Sequence, residues 1–200
     1  MPILFILAGT HGSGKTSFYF SAKAHGFINN DIPFINADII ARDELGGYTA
    51  ENFERAEIIY HERAEDYINN MQDFIVENNL AVQSDFAWLE KMKEKGYDLI
   101  LFYSGTLNIT INIKRVEKSV KEGGRFVPES IIRDRYDMSI LYLKSNLYLF
   151  KEVYLLDNSN ETKLIAIVKN GLIDYKENPV PSWVSRLLFL QTKIAPGKDK

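Results

Sequence analysis

Cysteine is absent from the 200-residue chain, which excludes a disulfide framework, thiolate zinc sites and a cysteine nucleophile. Histidine is scarce, with only His11, His25 and His61, so a histidine-built metal centre does not suit the composition. No early hydrophobic run exceeds Ile3 to Ala8, far short of the ~20 residues a membrane-spanning helix needs. That run also lacks the basic flank and the apolar length of a secretory signal. The expectation is a soluble, cytoplasmic chain with no membrane association. Neither sign of charge dominates, since 24 Lys and Arg stand against 27 Asp and Glu, a net −3. Such a balance argues against tracking nucleic acid by bulk charge, and nucleic acid is not an expected partner.

What is present suffices for a packed core. Hydrophobic residues make up 46% and charged residues 26%, ordinary globular usage. The length predicts one domain over 1–195, followed by a disordered tail over 196–200. Ile3-Leu4-Phe5-Ile6-Leu7 reads as a strand buried on both faces, as in a parallel sheet with helices on each side. Pro33–Asn36 reads as a second strand, and helical spacing runs from about Ala50 to Asn79. Leu80-Ala81-Val82 reads as a further strand, with Ser84 capping the next helix. A central strand over 98–103, a helix over about 108–121 and the break at Gly123-Gly124 follow. Pro128 opens another helix, and 153–156 is another buried strand. Asn170-Gly171 marks a hairpin between 163–168 and 172–175, and Pro181 opens a helix striped by Trp183, Leu187 and Leu190. The alternation predicts an α/β fold of the P-loop NTPase type: a mostly parallel sheet flanked by helices, with a C-terminal hairpin and helix.

The sharpest chemical signal is Gly9-Thr10-His11-Gly12-Ser13-Gly14-Lys15-Thr16. It fits G-x-x-x-x-G-K-[ST] and lies between an apolar strand and a helix, as the motif requires. Glycines let the loop wrap a polyphosphate with its N–H groups inward, and the helix adds its positive end. Lys15 is placed for β/γ-phosphates and Thr16 for Mg²⁺, so ATP with Mg²⁺ is the expected ligand, held by residues 9–16 and Ser17. His11 reads as a variable loop residue.

Asp38 follows the second strand in Asn36-Ala37-Asp38. At a sheet's carboxyl edge it could take the proton of an attacking hydroxyl; equally, it could cap the helix that starts there. Spacing leaves both readings open. Arg115, Arg125, Arg133 and Arg135 surround the double glycine. Each alone reads as a solvated surface residue, whereas a glycine-hinged lid flanked by arginines suits stabilisation of a transferring phosphoryl group.

With these pieces in order, nearly the whole chain resembles the zeta toxin family of P-loop kinases, most closely its small predicted-ATPase branch. The resemblance is carried by Gly9–Thr16, Ile35–Ala41, Lys95-Gly96-Tyr97, Asn112–Val116, Gly123–Glu129, Ile132–Tyr136 and Tyr154–Ser159. It implies an ATP-dependent kinase acting on a hydroxyl of a small molecule; characterised toxins phosphorylate UDP-N-acetylglucosamine. It also implies an antitoxin-like protein partner. By residue match, Lys15 holds phosphates, Thr16 holds magnesium, Asp38 is the base, and Arg115 with Arg135 completes the catalytic set. Asp38, Gln83, Asp85, Arg125 and Arg133 are the expected acceptor-side residues. Three departures stand out. Gln83-Ser84-Asp85 occurs where the family places Glu and Thr after the third strand, Ser119 replaces an arginine, and Arg125 replaces a histidine. They motivate the alternative of a nucleotide- or partner-binding module with a degenerate transferase site.

Overall fold

Apolar runs too short for helices become the centre of the sheet. The computed structural model describes residues 1–188; Leu190, the expected limit at 195 and the tail 196–200 lie outside them. The strands are β1 (Ile3–Ala8), β2 (Phe34–Ile35), β3 (Phe74–Asn78), β4 (Asp98–Gly105), β5 (Glu152–Asp157), β6 (Lys163–Lys169) and β7 (Leu172–Lys176). The helices are α1 (Lys15–Ala24), α2 (Ala37–Ile39, running into a π-turn over Ile40–Glu44), α3 (Ala50–Asn69), α4 (Gln83–Glu94), α5 (Ile109–Lys121), α6 (Glu129–Asn146) and α7 (Ser182–Leu188). The sheet order is β2-β3-β1-β4-β5-β6-β7. The first five are parallel, whereas β6 and β7 join antiparallel around Asn170-Gly171. This is the expected α/β architecture.

Leu4 and Ile6 of β1, Leu99 and Leu101 of β4, and Val153 and Leu155 of β5 are buried. Their burial makes β1 and its neighbours the rigid base from which the loop after β1 springs. Ligand-binding loops of such sheets gather at the carboxyl ends of the strands. Here those ends lead to Gly9, Asn36, Glu77, Thr106 and Asn158. No helix among the described residues is long and apolar enough to cross a membrane.

One stretch departs from the expected pattern. The helix expected to reach Asn79 ends at Asn69; Asn70 caps it, Met71 turns left-handed at φ 52°, and β3 begins at Phe74. An asparagine at a helix end is a stop signal in its own right, because its short polar side chain tolerates the turn conformation. Met71 and Ile75 fell on the helical period by coincidence. Leu80, read as a strand residue, has φ 51°, which an extended strand cannot accommodate. The strand lies six residues upstream, and α4 begins at Gln83 with the Asp85 carboxylate accepting from the Ala81 and Val82 N–H groups at 3.0 and 3.3 Å. Ser84 is therefore inside the helix.

At the carboxyl ends of β4 and β5, Trp183 of α7 is fully buried and donates its indole N–H to Asp157 Oδ1 at 3.0 Å. Its ring lies on Gly105, where a Cβ would come within 2.6 Å. Gly105→Ala is expected to lower unfolding free energy by ~1–3 kcal/mol in urea titration, as overpacking does. In a Trp183→Ala background, itself costing ~3–5 kcal/mol, that penalty should vanish because the obstacle is gone. Equal penalties in both backgrounds would contradict the packing account.

Candidate active site

A glycine-rich loop cradles phosphate only when its carbonyls turn outward and its N–H groups turn in. Three side chains from other elements hold that arrangement. Ser104 at the end of β4 donates to the Ser13 carbonyl at 2.7 Å, Asn158 beyond β5 donates to the same oxygen at 2.8 Å, and Asn112 of α5 donates to the His11 carbonyl at 2.7 Å. Asn112 is oriented in turn by the Thr106 hydroxyl. The fit is close: a Cβ on Gly9 would lie 2.1 Å from the Ser104 carbonyl oxygen, and one on Gly14 would lie 2.1 Å from the Asn158 amide nitrogen. Both glycines also have positive φ, at 134° and 92°, so side chains there face strain as well as collision.

Lys15 opens α1 with its ammonium group turned back onto the loop. It donates to the Gly9 and Thr10 carbonyls at 2.8 and 3.3 Å and lies 3.6 Å from Glu77 Oε1. Thr16 donates its hydroxyl to Glu77 Oε2 at 2.7 Å, and the Asn36 amide donates to the same oxygen at 2.8 Å. The Thr10 and Ser13 hydroxyls are buried in the loop without hydrogen-bond partners. A loop with an ammonium parked on carbonyls and two unpaired hydroxyls suits a polyphosphate. A threonine hydroxyl against a carboxylate offers the hard oxygen donors that Mg²⁺ takes.

Glu77 supplies the carboxylate that seemed missing after the third strand. Reading Leu80–Val82 as that strand put Gln83 in its place; with β3 at Phe74–Asn78, Glu77 is the strand's penultimate residue. The sequence did carry a signal, the apolar Phe74-Ile75-Val76 followed by Glu77-Asn78-Asn79, but it was absorbed into the apparent helix. Gln83 is exposed on the first turn of α4. Asp85 caps that helix and borders a second cavity with Tyr60, Trp88 and Arg135.

Asp38 is not the helix cap. Asn36 takes that position, its Oδ1 accepting from the Ile39 N–H at 3.0 Å. Asp38 stands two residues past the cap, in the first turn, and faces a cavity of about 390 Å³ shared with Lys15, Thr16, Ser17, Glu77, Arg115 and Arg125. Arg115 of α5 lies 3.5 Å from the Gly12 carbonyl and 3.4 Å from that of Ser159, and Ser119 borders the same cavity. Arg125 pairs with Asp38 at 3.1 Å. Arg135 of α6 donates to His11 Nε2 at 3.2 Å and to Asn79 Oδ1 at 3.0 Å, the Asn79 amide donating onward to the Gly9 carbonyl at 3.1 Å. A relay from Tyr103 through Ser139 anchors Asn79, with the Ser139 hydroxyl 2.7 Å from its backbone oxygen. Arg133 points the other way, ion-paired with Glu129 at 2.6 Å on the exposed face of α6. The structure thus gathers Lys15, Thr16, Asp38, Arg115, Arg125 and Arg135 at one edge, and leaves Gln83 and Arg133 outside. Glu77, Asn79 and Ser104 join the site unannounced by any motif, and Asn112 and Asn158, which lie in segments that carry the resemblance, join it in a role that those segments did not specify.

Charge crowding has a measurable consequence at His11. Burial, then the positive charges of Lys15, Arg135 and Arg125, push its imidazole down from 6.5 to about 3. Below pH 6.5 the unfolded chain therefore binds a proton that the folded chain refuses, so this group makes stability fall as pH drops from 6.5 towards 3. His11→Gln is expected to flatten that part of the stability–pH curve. In ¹⁵N NMR the His11 ring should remain neutral at pH 5; a midpoint near 6.5 would contradict the geometry.

A family model described as Zeta toxin matches residues 1–169. An uncharacterized protein of Haemophilus influenzae is 35% identical over 63 residues, which cover 32% of this chain and 45% of that protein. Among solved structures, the AvrRxo1-ORF1:AvrRxo1-ORF2 complex with sulphate ions aligns at TM-score 0.65 and 16% identity, covering 90% of this chain and 62% of the other. The same pair with ATP aligns at TM-score 0.65 and 14% identity, over 100% and 66%. The PezAT chromosomal toxin-antitoxin system of Streptococcus pneumoniae aligns at 0.55 and 16%, over 98% and 80%. The chain thus spans under half of its curated relative and about three-fifths of the AvrRxo1 chain. At such identities the solved structures speak to fold, which they share with the parallel sheet and loop described above. The extent of the family match settles the rest: the chain belongs to the zeta toxin family.

Proposed function

We propose that the protein is an ATP-dependent kinase that transfers the γ-phosphoryl group to a hydroxyl of a small molecule. The observation that carries this reading is a single cavity holding the glycine-rich loop, Lys15, the Thr16–Glu77 pair and the Asp38 carboxylate. A loop that only held nucleotide would need no carboxylate across the cavity from it.

The chemistry follows from where these groups sit. Lys15 leaves the Gly9 and Thr10 carbonyls for phosphate oxygens, an exchange of neutral acceptors for charged ones. Thr16 and Glu77 are the residues that would hold Mg²⁺, which when bound neutralises charge on the β- and γ-phosphates. Asp38 accepts the proton of the acceptor hydroxyl as its oxygen bonds to the γ-phosphorus and the bridging bond to ADP breaks. Arg115, beside the Gly12 carbonyl, and Arg135, beside the His11 ring, meet negative charge on the transferring group. Family resemblance makes UDP-N-acetylglucosamine the first acceptor to assay. The AvrRxo1 and PezAT structures, solved as a two-component complex and a toxin–antitoxin system, support an antitoxin-like protein partner.

The test is transfer of label from [γ-³²P]ATP to a panel of sugar nucleotides and free sugars. Wild type should label at least one acceptor. Asp38→Asn should lower kcat by ~10²–10⁴ while nucleotide binding persists. Nucleotide binding with no labelled acceptor anywhere in the panel would favour the degenerate module, and an unaffected Asp38→Asn would remove the assigned base.

A further inference from the structure

The Asp38 carboxylate, the base in the kinase reading, is engaged through Oδ1 by the Arg125 guanidinium at 3.1 Å. The guanidinium lies flat on the Phe53 ring, 3.5 Å from its centre, a contact that favours this placement. Yet Arg125 also borders the cavity of Gly14, Lys15 and Thr16, as well as the neighbouring one of Glu57, Asn78 and Asn79. It stands between the phosphate loop and the acceptor side.

Its backbone is anchored by hydrogen bonding to α5, whereas its side chain is held by the Asp38 pair and the Phe53 ring. The Gly124 N–H donates to the Ser119 carbonyl at 2.8 Å, and a Cβ on Gly124 would meet the Ser119 hydroxyl at 2.2 Å. The loop is thus pinned to the end of α5, so that side-chain rotation alone can redirect the guanidinium. The pair it would leave is weak, because the two side chains are 37% and 40% exposed and water screens them. A triphosphate offers several charges in the cavity Arg125 already faces.

We propose that Arg125 is a switch residue: it holds Asp38 in the nucleotide-free protein and passes to the triphosphate when ATP binds, freeing the base only once the donor is in place. This rests on the kinase reading above and adds an order to it. The acceptor hydroxyl finds a competent base after ATP enters, not before.

The handover is testable without knowing the acceptor. Magnesium and a non-hydrolysable ATP analogue are titrated calorimetrically into wild type, Asp38→Ala, Arg125→Met and the double variant, each checked for folding by thermal melt. Arg125→Met should weaken binding by about tenfold or more, the loss of a charged phosphate contact. Asp38→Ala should tighten binding several-fold when Arg125 is present, because the competitor for its guanidinium is gone, and this gain should shrink in the Arg125→Met background. Simple repulsion between Asp38 and phosphate gives the opposite pattern, a larger gain when Arg125 no longer neutralises the carboxylate. That pattern, or an Arg125→Met variant with unchanged affinity, overturns the switch while leaving the kinase reading intact. Absence of binding to wild type overturns both. Phe53→Leu supplies a second route: loosening the guanidinium from its ring should tighten analogue binding in the same direction as Asp38→Ala.

Discussion

The carbonyls of His11 and Ser13 are held outward by Asn112, Ser104 and Asn158, and everything at the carboxyl edge depends on that. With those oxygens satisfied elsewhere, the loop keeps N–H groups for the cavity, although that of Ser13 donates within the loop to the Thr10 carbonyl at 3.1 Å. The anchors come from β4, α5 and the turn beyond β5, so the cradle forms only when the sheet has assembled. A loop tied to three separate elements costs little to hold in shape when ligand arrives, because its ordering took place during folding. The Tyr103–Ser139–Asn79 relay extends the same scaffold to Arg135.

Electrostatics then decide what the cradle can take. The chain as a whole is slightly acidic, yet Lys15, Arg115, Arg125 and Arg135 converge on one loop, against the two carboxylates of Glu77 and Asp38. Each carboxylate is committed: Glu77 to Thr16 and Asn36, Asp38 to Arg125. His11 stays neutral because burial disfavours its charged form and because a further positive charge in that company is costly. A polyanion relieves the crowding that folding imposes, and net charge gives no hint of it.

Where sequence and structure agree, local chemistry was strong enough to stand alone. The apolar run of β1, the glycine-rich motif and the Asn170-Gly171 hairpin each announce themselves within a few residues. Asp38 lay at the limit of such reading, since spacing could not separate a base from a cap; Asn36, taking the cap with its own side chain, removes the cap reading. Glu77 lay beyond the limit. Its strand is only Phe74–Asn78, it follows a helix whose apolar period runs on by chance through Met71 and Ile75, and the asparagine that ends the helix is a quieter signal than glycine or proline. The loop's anchors were illegible for a different reason: nothing about Ser104, Asn112 or Asn158 in sequence says that they meet residues 11 and 13, which only the topology brings beside them.

The central claim is that this loop is a working phosphate site with Lys15 as its cation. Calorimetric titration of wild type and Lys15→Ala with magnesium and a non-hydrolysable ATP analogue tests it most directly. The account requires saturable binding by wild type that is lost in Lys15→Ala while the variant's melting curve stays close to wild type. Indistinguishable heats for the two proteins, or no binding by either, would contradict it.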